Sequence, residues 1–134
     1  MTKMTILLVD GDAPYRESMR HILRSEGYRV LEAADYRGAR NACQQHSGEI
    51  NLLLTAIALP GGNGYELAKE LQETDAGMKV LFVSGEAGAK VGQFYTRPWK
   101  DAPTLRRPFE SAKLVERVKE VLNPPPKSST AFAF

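Results

Sequence analysis

Three apolar runs constrain this chain more than anything else in it: Ile6-Leu7-Leu8-Val9, Leu52-Leu53-Leu54-Thr55 and Val80-Leu81-Phe82-Val83. Successive side chains of a strand point to opposite faces, so a strand with one wet face alternates apolar and polar residues. None of these runs alternates. They suit strands covered on both faces, as in a parallel sheet held between two helical layers. Tyr28-Arg29-Val30-Leu31 is a fourth candidate strand and Thr104-Leu105-Arg106 a shorter fifth.

Helical spacing fills the intervals. Tyr15, Met19, Ile22 and Leu23 follow Asp12, a helix cap, and Pro14, a first-turn residue, and Gly27 ends that helix. Ala39, Ala42 and Cys43 predict a second helix over 36–45. Asn63 with Glu66 forms a capping-box pattern opening a third, with Tyr65, Ala68 and Leu71 facing inward. Leu114, Val115, Val118, Val121 and Leu122 make the last stripe, stopped by Asn123 and three prolines. Between Ser84 and Arg107, the breakers Gly88, Gly92, Pro98 and Pro103 leave only a short or irregular helix near 86–95. This order predicts an α/β fold with a doubly wound, five-stranded parallel sheet and right-handed crossovers. Function in such sheets sits beyond the carboxyl ends of the strands. That directs attention to Asp10-Gly11-Asp12, Ala56-Ile57-Ala58, Ser84-Gly85 and Arg107-Pro108.

Composition bounds the rest. At 134 residues the chain accommodates one domain, read here as 1–123 with a disordered Pro/Ser-rich tail over 124–134. A formal charge of +2 demands neither nucleic acid nor an anionic membrane. The single cysteine, Cys43, excludes an internal disulfide and a cysteine-cluster metal site, and its helical position reads as core packing. There is no long apolar run, and acids appear early in MTKMTILLVDGD, which argues against a signal peptide. A cytoplasmic location without membrane contact is expected.

The segments ILLVDGD, GYRVLEAAD, NLLLTAIALPGGNGYEL, KVLFVSGEA and LRRPFES resemble the receiver domain of two-component response regulators, in order and spacing. The likeness is to chemotaxis-type receivers, and the LPGGNGYEL and LFVSG wording is similar to receivers that accompany hybrid sensor kinases. It implies a flavodoxin-like (βα)5 fold with strand order 2-1-3-4-5. It also implies a pocket with two adjacent acids, a phosphoacceptor aspartate, a hydroxyl and a lysine, around Mg²⁺. The physical need is clear: a carboxylate attacks a phosphoryl group only when the charge on the phosphoryl oxygens is neutralised.

This chain departs from that set. Asp10 matches the first acid, but Gly11 stands at the second and Ala56 at the acceptor. A methyl group forms no acyl phosphate. Ala58 lies at the carbonyl-ligand position, Ser84 at the hydroxyl, and Arg107 replaces the lysine; Thr104 stands where many receivers carry a switching aromatic residue. Asp10 and Asp12 are the remaining metal candidates, and Asp12 reads better as a cap. No cofactor is expected, because Mg²⁺ affinity should be lost or very weak. Their strand-end positions suggest that Asp10 and Arg107 pair across the emptied pocket. Arg107-Pro108 keeps the family's tight turn, often a cis peptide.

The expectation is an atypical receiver, or pseudo-receiver, of phosphorelay signalling: a protein-interaction module and not an enzyme. Its partners would be a sensor histidine kinase, another response regulator, a downstream effector or a second copy of the chain. Two alternatives stand beside it. One is a conventional phosphorelay receiver carrying an acceptor Asp-to-Ala change. The other is a nucleic-acid-binding module using 90–107, where Lys90, Arg97, Lys100, Arg106 and Arg107 interleave with Phe94, Tyr95 and Trp99. For that stretch, the competing readings are packing of the aromatic residues on the sheet or a partner surface formed by Phe94, Tyr95, Arg97, Trp99, Lys100 and Thr104.

Overall fold

A computed structural model describes residues 3–85, 88, 99 and 102–124. Five parallel strands form the central sheet: β1 (Thr5–Val9), β2 (Arg29–Ala33), β3 (Leu52–Ala56), β6 (Lys79–Ser84) and β7 (Thr104–Arg106). Their order is β2-β1-β3-β6-β7. A two-stranded antiparallel hairpin, β4 (Ala58–Leu59) and β5 (Gly62–Asn63), follows β3 and belongs to no layer. With the hairpin set aside, the sheet has the expected 2-1-3-4-5 order. Four helices are described: α1 (Ala13–Ser25), α2 (Tyr36–Gln45), α3 (Gly64–Thr74) and α4 (Ser111–Leu122). The helix expected near 86–95 and the tail beyond Pro124 lie outside the described residues, apart from Gly88.

The apolar runs fail to alternate because both sheet faces are dry. On one face Leu7, Val9, Leu53, Val80 and Phe82 pack with Ala39 and Cys43 of α2 and Leu67, Ala68 and Leu71 of α3. On the other, Ile6, Leu8, Leu52, Leu54, Leu81 and Val83 meet Met19 and Leu23 of α1 and Leu114 and Val118 of α4. Odd and even positions of one strand thus enter different cores. Fully burying a side chain of this type stabilises by roughly 1.5–3 kcal/mol.

Local signals set the helix ends. The Asp12 carboxylate accepts from the Tyr15 N–H at 3.3 Å and caps α1, whose first turn holds Pro14. Gly27 follows that helix at φ +93°, a conformation that favours glycine. Asp35 caps α2 through the Gly38 N–H at 2.6 Å, and Asn63 caps α3 through the Glu66 N–H at 2.9 Å. Strand β2 runs Arg29–Ala33, against an expected 28–31. Glu32 enters it because Arg20 and Arg16 of α1 take its carboxylate at 2.9 and 3.5 Å.

Candidate functional site

The strand order reverses between β1 and β3, so the crevice beyond their carboxyl ends is the switch point of the sheet. Asp10 follows β1 directly and is 2% exposed. Its N–H donates to the Ala33 carbonyl at 3.1 Å, and its own carbonyl accepts from Arg16 Nη1 at 2.7 Å. These bonds hold its backbone, and the side chain turns into the crevice. There Oδ1 accepts from the Asp12 N–H at 2.9 Å, while Oδ2 meets Nη2 of Arg107 in an ion pair. Both carboxylate oxygens are engaged.

Arg107 arrives from the far side of the sheet. Its N–H donates to the Ser84 carbonyl at 2.8 Å, extending the β6–β7 ladder, and its peptide bond to Pro108 is cis. Its side chain is 18% exposed. The guanidinium carbon lies 4.1 Å from the centroid of the Tyr15 ring, and that ring packs on Phe109 at 6.1 Å. Burial pushes the Arg107 pKa down from the ordinary arginine value.

Ala56 ends β3, in register with Val83, and is 5% exposed. The Thr55 hydroxyl donates to its carbonyl at 2.9 Å. The backbone here is tight, since a Cβ on Gly64 would stand 2.4 Å from the Ala56 oxygen. Ala58 opens the β4–β5 hairpin opposite Asn63 and is half-buried. Ser84 is buried, and its hydroxyl donates at 3.3 Å to the Gly85 carbonyl. Gly88 backs onto it: a Cβ there would lie 3.3 Å from the Ser84 oxygen. The Thr104 hydroxyl donates to the Ala102 carbonyl at 3.1 Å.

Gly11 has no side chain to offer, and there is little room for one. A Cβ at that position would stand 3.0 Å from Cδ and 3.1 Å from Cγ of Pro60. Pro60 and the positive-φ Gly61 (φ +83°) form the turn of the β4–β5 hairpin, which the Tyr36 N–H fixes by donating to the Pro60 carbonyl at 3.1 Å. Asp12 is exposed and serves as the α1 cap.

In the 90–107 stretch, Trp99 packs inward. Its ring meets Phe82 edge-on at 5.4 Å, and the face of the core around Phe82 continues through Tyr65 at 4.8 Å. The packing alternative therefore holds for Trp99. Phe94, Tyr95, Arg97 and Lys100 lie outside the described residues. Sequence reasoning placed Tyr15 with the core stripe of α1 and assigned no role to Arg16 or Pro60. The only available signal was their position within one turn or loop of the crevice residues.

Comparison with known proteins places this geometry in context. The sequence model of the response regulator receiver domain matches residues 6–119. The response regulator receiver protein CpdR of Brucella abortus (strain 2308) is 31% identical over 117 residues, covering 87% of this chain and 95% of CpdR. Sensor kinase CckA of the same organism is 31% identical over 118 residues, 88% of this chain but only 12% of the kinase. Among solved structures, a CheY-like receiver domain protein from Methanospirillum hungatei JF-1 superposes with a TM-score of 0.77 at 31% identity, covering 91% of this chain and 95% of that one. The chain belongs to the response regulator receiver domain family.

Proposed function

We propose that this receiver domain works as a pseudo-receiver: it accepts no phosphoryl group and acts in two-component signalling by binding another protein. The observation that carries the reading is Ala56, a methyl side chain at the carboxyl end of β3, where the family resemblance expects the nucleophilic aspartate. Without a carboxylate there is no acyl phosphate to form.

The surroundings support the same reading. Mg²⁺ requires several hard oxygen ligands in near-octahedral geometry. Asp10 has both oxygens engaged, Gly11 supplies none, and Asp12 caps α1. Among the described residues no cluster of three or more His, Cys, Asp or Glu side chains could hold a metal ion. The residues present do not fit the cation that the fold family implies. A conventional receiver silenced only at its acceptor would need neither Gly11 beneath Pro60 nor Arg107 on Asp10. The nucleic-acid reading loses the packed ring of Trp99.

The partner that suits this reading is a sensor histidine kinase or another response regulator, since receiver domains contact both and CckA is itself a sensor kinase. Among the described residues no helix is long and apolar enough to cross a membrane. The test is an amide NMR titration of the chain with Mg²⁺, followed by kinase binding with and without Mg²⁺ and ATP. The reading expects no saturable shift at Asp10, Asp12, Ala56 or Ala58, and one kinase affinity under both conditions. Saturable Mg²⁺ binding at those amides, or binding that requires the phosphoryl donor, would overturn it.

A further inference from the structure

We infer that the Asp10 carboxylate and the Tyr15 ring form a guanidinium-binding site whose resident ligand is the chain's own Arg107, a tethered cation in a crevice that the family fills with a metal. The inference rests on the crevice taking no phosphoryl group.

The site is built to take a planar cation. The Asp12 N–H fixes Oδ1 of Asp10 at 2.9 Å, which leaves Oδ2 to face the incoming charge. Arg16 holds the Asp10 carbonyl at 2.7 Å, so the carboxylate is anchored from its backbone as well. Phe109 packs on Tyr15 at 6.1 Å and an interplanar angle of 46°, steadying the ring. A guanidinium presents an edge of N–H donors and two flat faces at once. Arg107 engages both groups: an edge nitrogen is ion-paired with Oδ2, and the central carbon stands over the Tyr15 ring, 4.1 Å from its centroid. An ammonium is also drawn to a ring face, but it is a compact, strongly hydrated point charge without a planar fork, so it matches the paired carboxylate and ring less well.

The reach of the side chain gives this site a mechanical consequence. β1, which precedes Asp10, and β7, which precedes Arg107, are not neighbours; β3 and β6 lie between them. The Arg107 side chain passes close to the β6 end, since its Cδ would stand 3.8 Å from a Cβ on Gly85. The pair therefore ties the carboxyl ends of two separated strands, whatever the Mg²⁺ concentration. The chain carries its cation with it.

The experiment is chemical rescue. Arg107→Ala removes the resident ligand and leaves Asp10 and Tyr15 in place. Ethylguanidinium chloride should then bind saturably and raise the variant's melting temperature, about tenfold more tightly than ethylammonium at matched ionic strength. The intact chain should show no such rise, because its site is filled. Asp10→Asn combined with Arg107→Ala should abolish the rescue. Should Arg107→Ala unfold, ethylguanidinium is expected to restore its folded circular dichroism. A second readout uses the intact chain: the Arg107 side-chain N–H resonances should be resolved and shifted upfield by the Tyr15 ring. The inference is overturned if ethylguanidinium binds no better than ethylammonium, if it stabilises the intact chain equally, if it fails to refold an unfolded variant, or if the Arg107 resonances are averaged and unshifted. Phosphoryl labelling of the chain would sink the pseudo-receiver reading without altering these rescue outcomes, so the two fail separately.

Discussion

Gly11 lies directly beneath Pro60, with 3.0 Å between the place of a Cβ on the glycine and Cδ of the proline ring. That spacing makes position 11 crowded as well as lacking an acid, since a side chain there requires the Pro60 ring to give by a few tenths of an ångström. Gly11→Ala should destabilise by about 1 kcal/mol, as the crowding outweighs the unfolded-state entropy that a glycine replacement removes. Pro60→Ala deletes both atoms in contact, so the double variant should recover most of that loss. Urea denaturation of the four chains measures the coupling, and additive effects would show that the contact is slack.

Arg107→Lys keeps a charge for Asp10 but gives up the planar guanidinium whose carbon stands over Tyr15. A loss of about 1 kcal/mol is expected. In Tyr15→Leu the same replacement should cost much less, because the ring is already gone. Equal costs in the two backgrounds would remove Tyr15 from the site.

Trp99 is the only tryptophan, so its fluorescence reports on one contact. Packed edge-on against Phe82, it should emit at short wavelength in the folded chain and shift to the red on unfolding. Single-stranded oligonucleotide at low salt should leave that emission unchanged. Quenching that vanishes with added salt would instead place nucleic acid on this segment.

Acid should weaken the link between α2 and α3. Hydrogen bonds from Arg40, at 2.7 and 3.0 Å, hold the Glu70 carboxyl below the usual carboxylate pKa, aided by the Tyr36 hydroxyl at 3.3 Å. A carboxyl depressed in the folded state contributes stability above its unfolded pKa and loses it as pH falls through the folded one. Glu70→Gln should therefore lower the melting temperature slightly at neutral pH and change little in acid, where the contribution is already lost, which flattens the acid limb. An unchanged acid limb would assign that limb to other carboxylates. The pair is solvent-facing, so the effect is small.

Much of this was legible in the residues alone, for physical reasons that differ by element. The Leu7/Leu8 and Leu53/Leu54 neighbours announce two dry faces because every other side chain enters a different core. Asp12, Asn63 and Gly27 mark helix ends through local hydrogen bonding and backbone freedom, which need no tertiary context. The β4–β5 hairpin was invisible, since two-residue strands carry no periodicity and Leu59-Pro60-Gly61-Gly62 reads as loop. β2 was misplaced at its carboxyl end because Glu32 looks like a turn residue until two arginines of α1 neutralise it. In the crevice, the strand-end rule brought Asp10 and Arg107 together. The ring of Tyr15 and the crowding of Gly11 by Pro60 depend on how α1 and the hairpin settle on the sheet, and no spacing encodes that.

The central claim is that the crevice has been rebuilt around Asp10 and Arg107 and no longer supports phosphoryl transfer. The direct measurement is labelling of Ala56→Asp with radiolabelled acetyl phosphate and Mg²⁺, scored as base-labile, acid-stable label on folded protein. Restoring the acceptor alone leaves Gly11 without an acid and Arg107 on the carboxylate, so background labelling is predicted. Robust, near-stoichiometric labelling of that single variant would contradict the account.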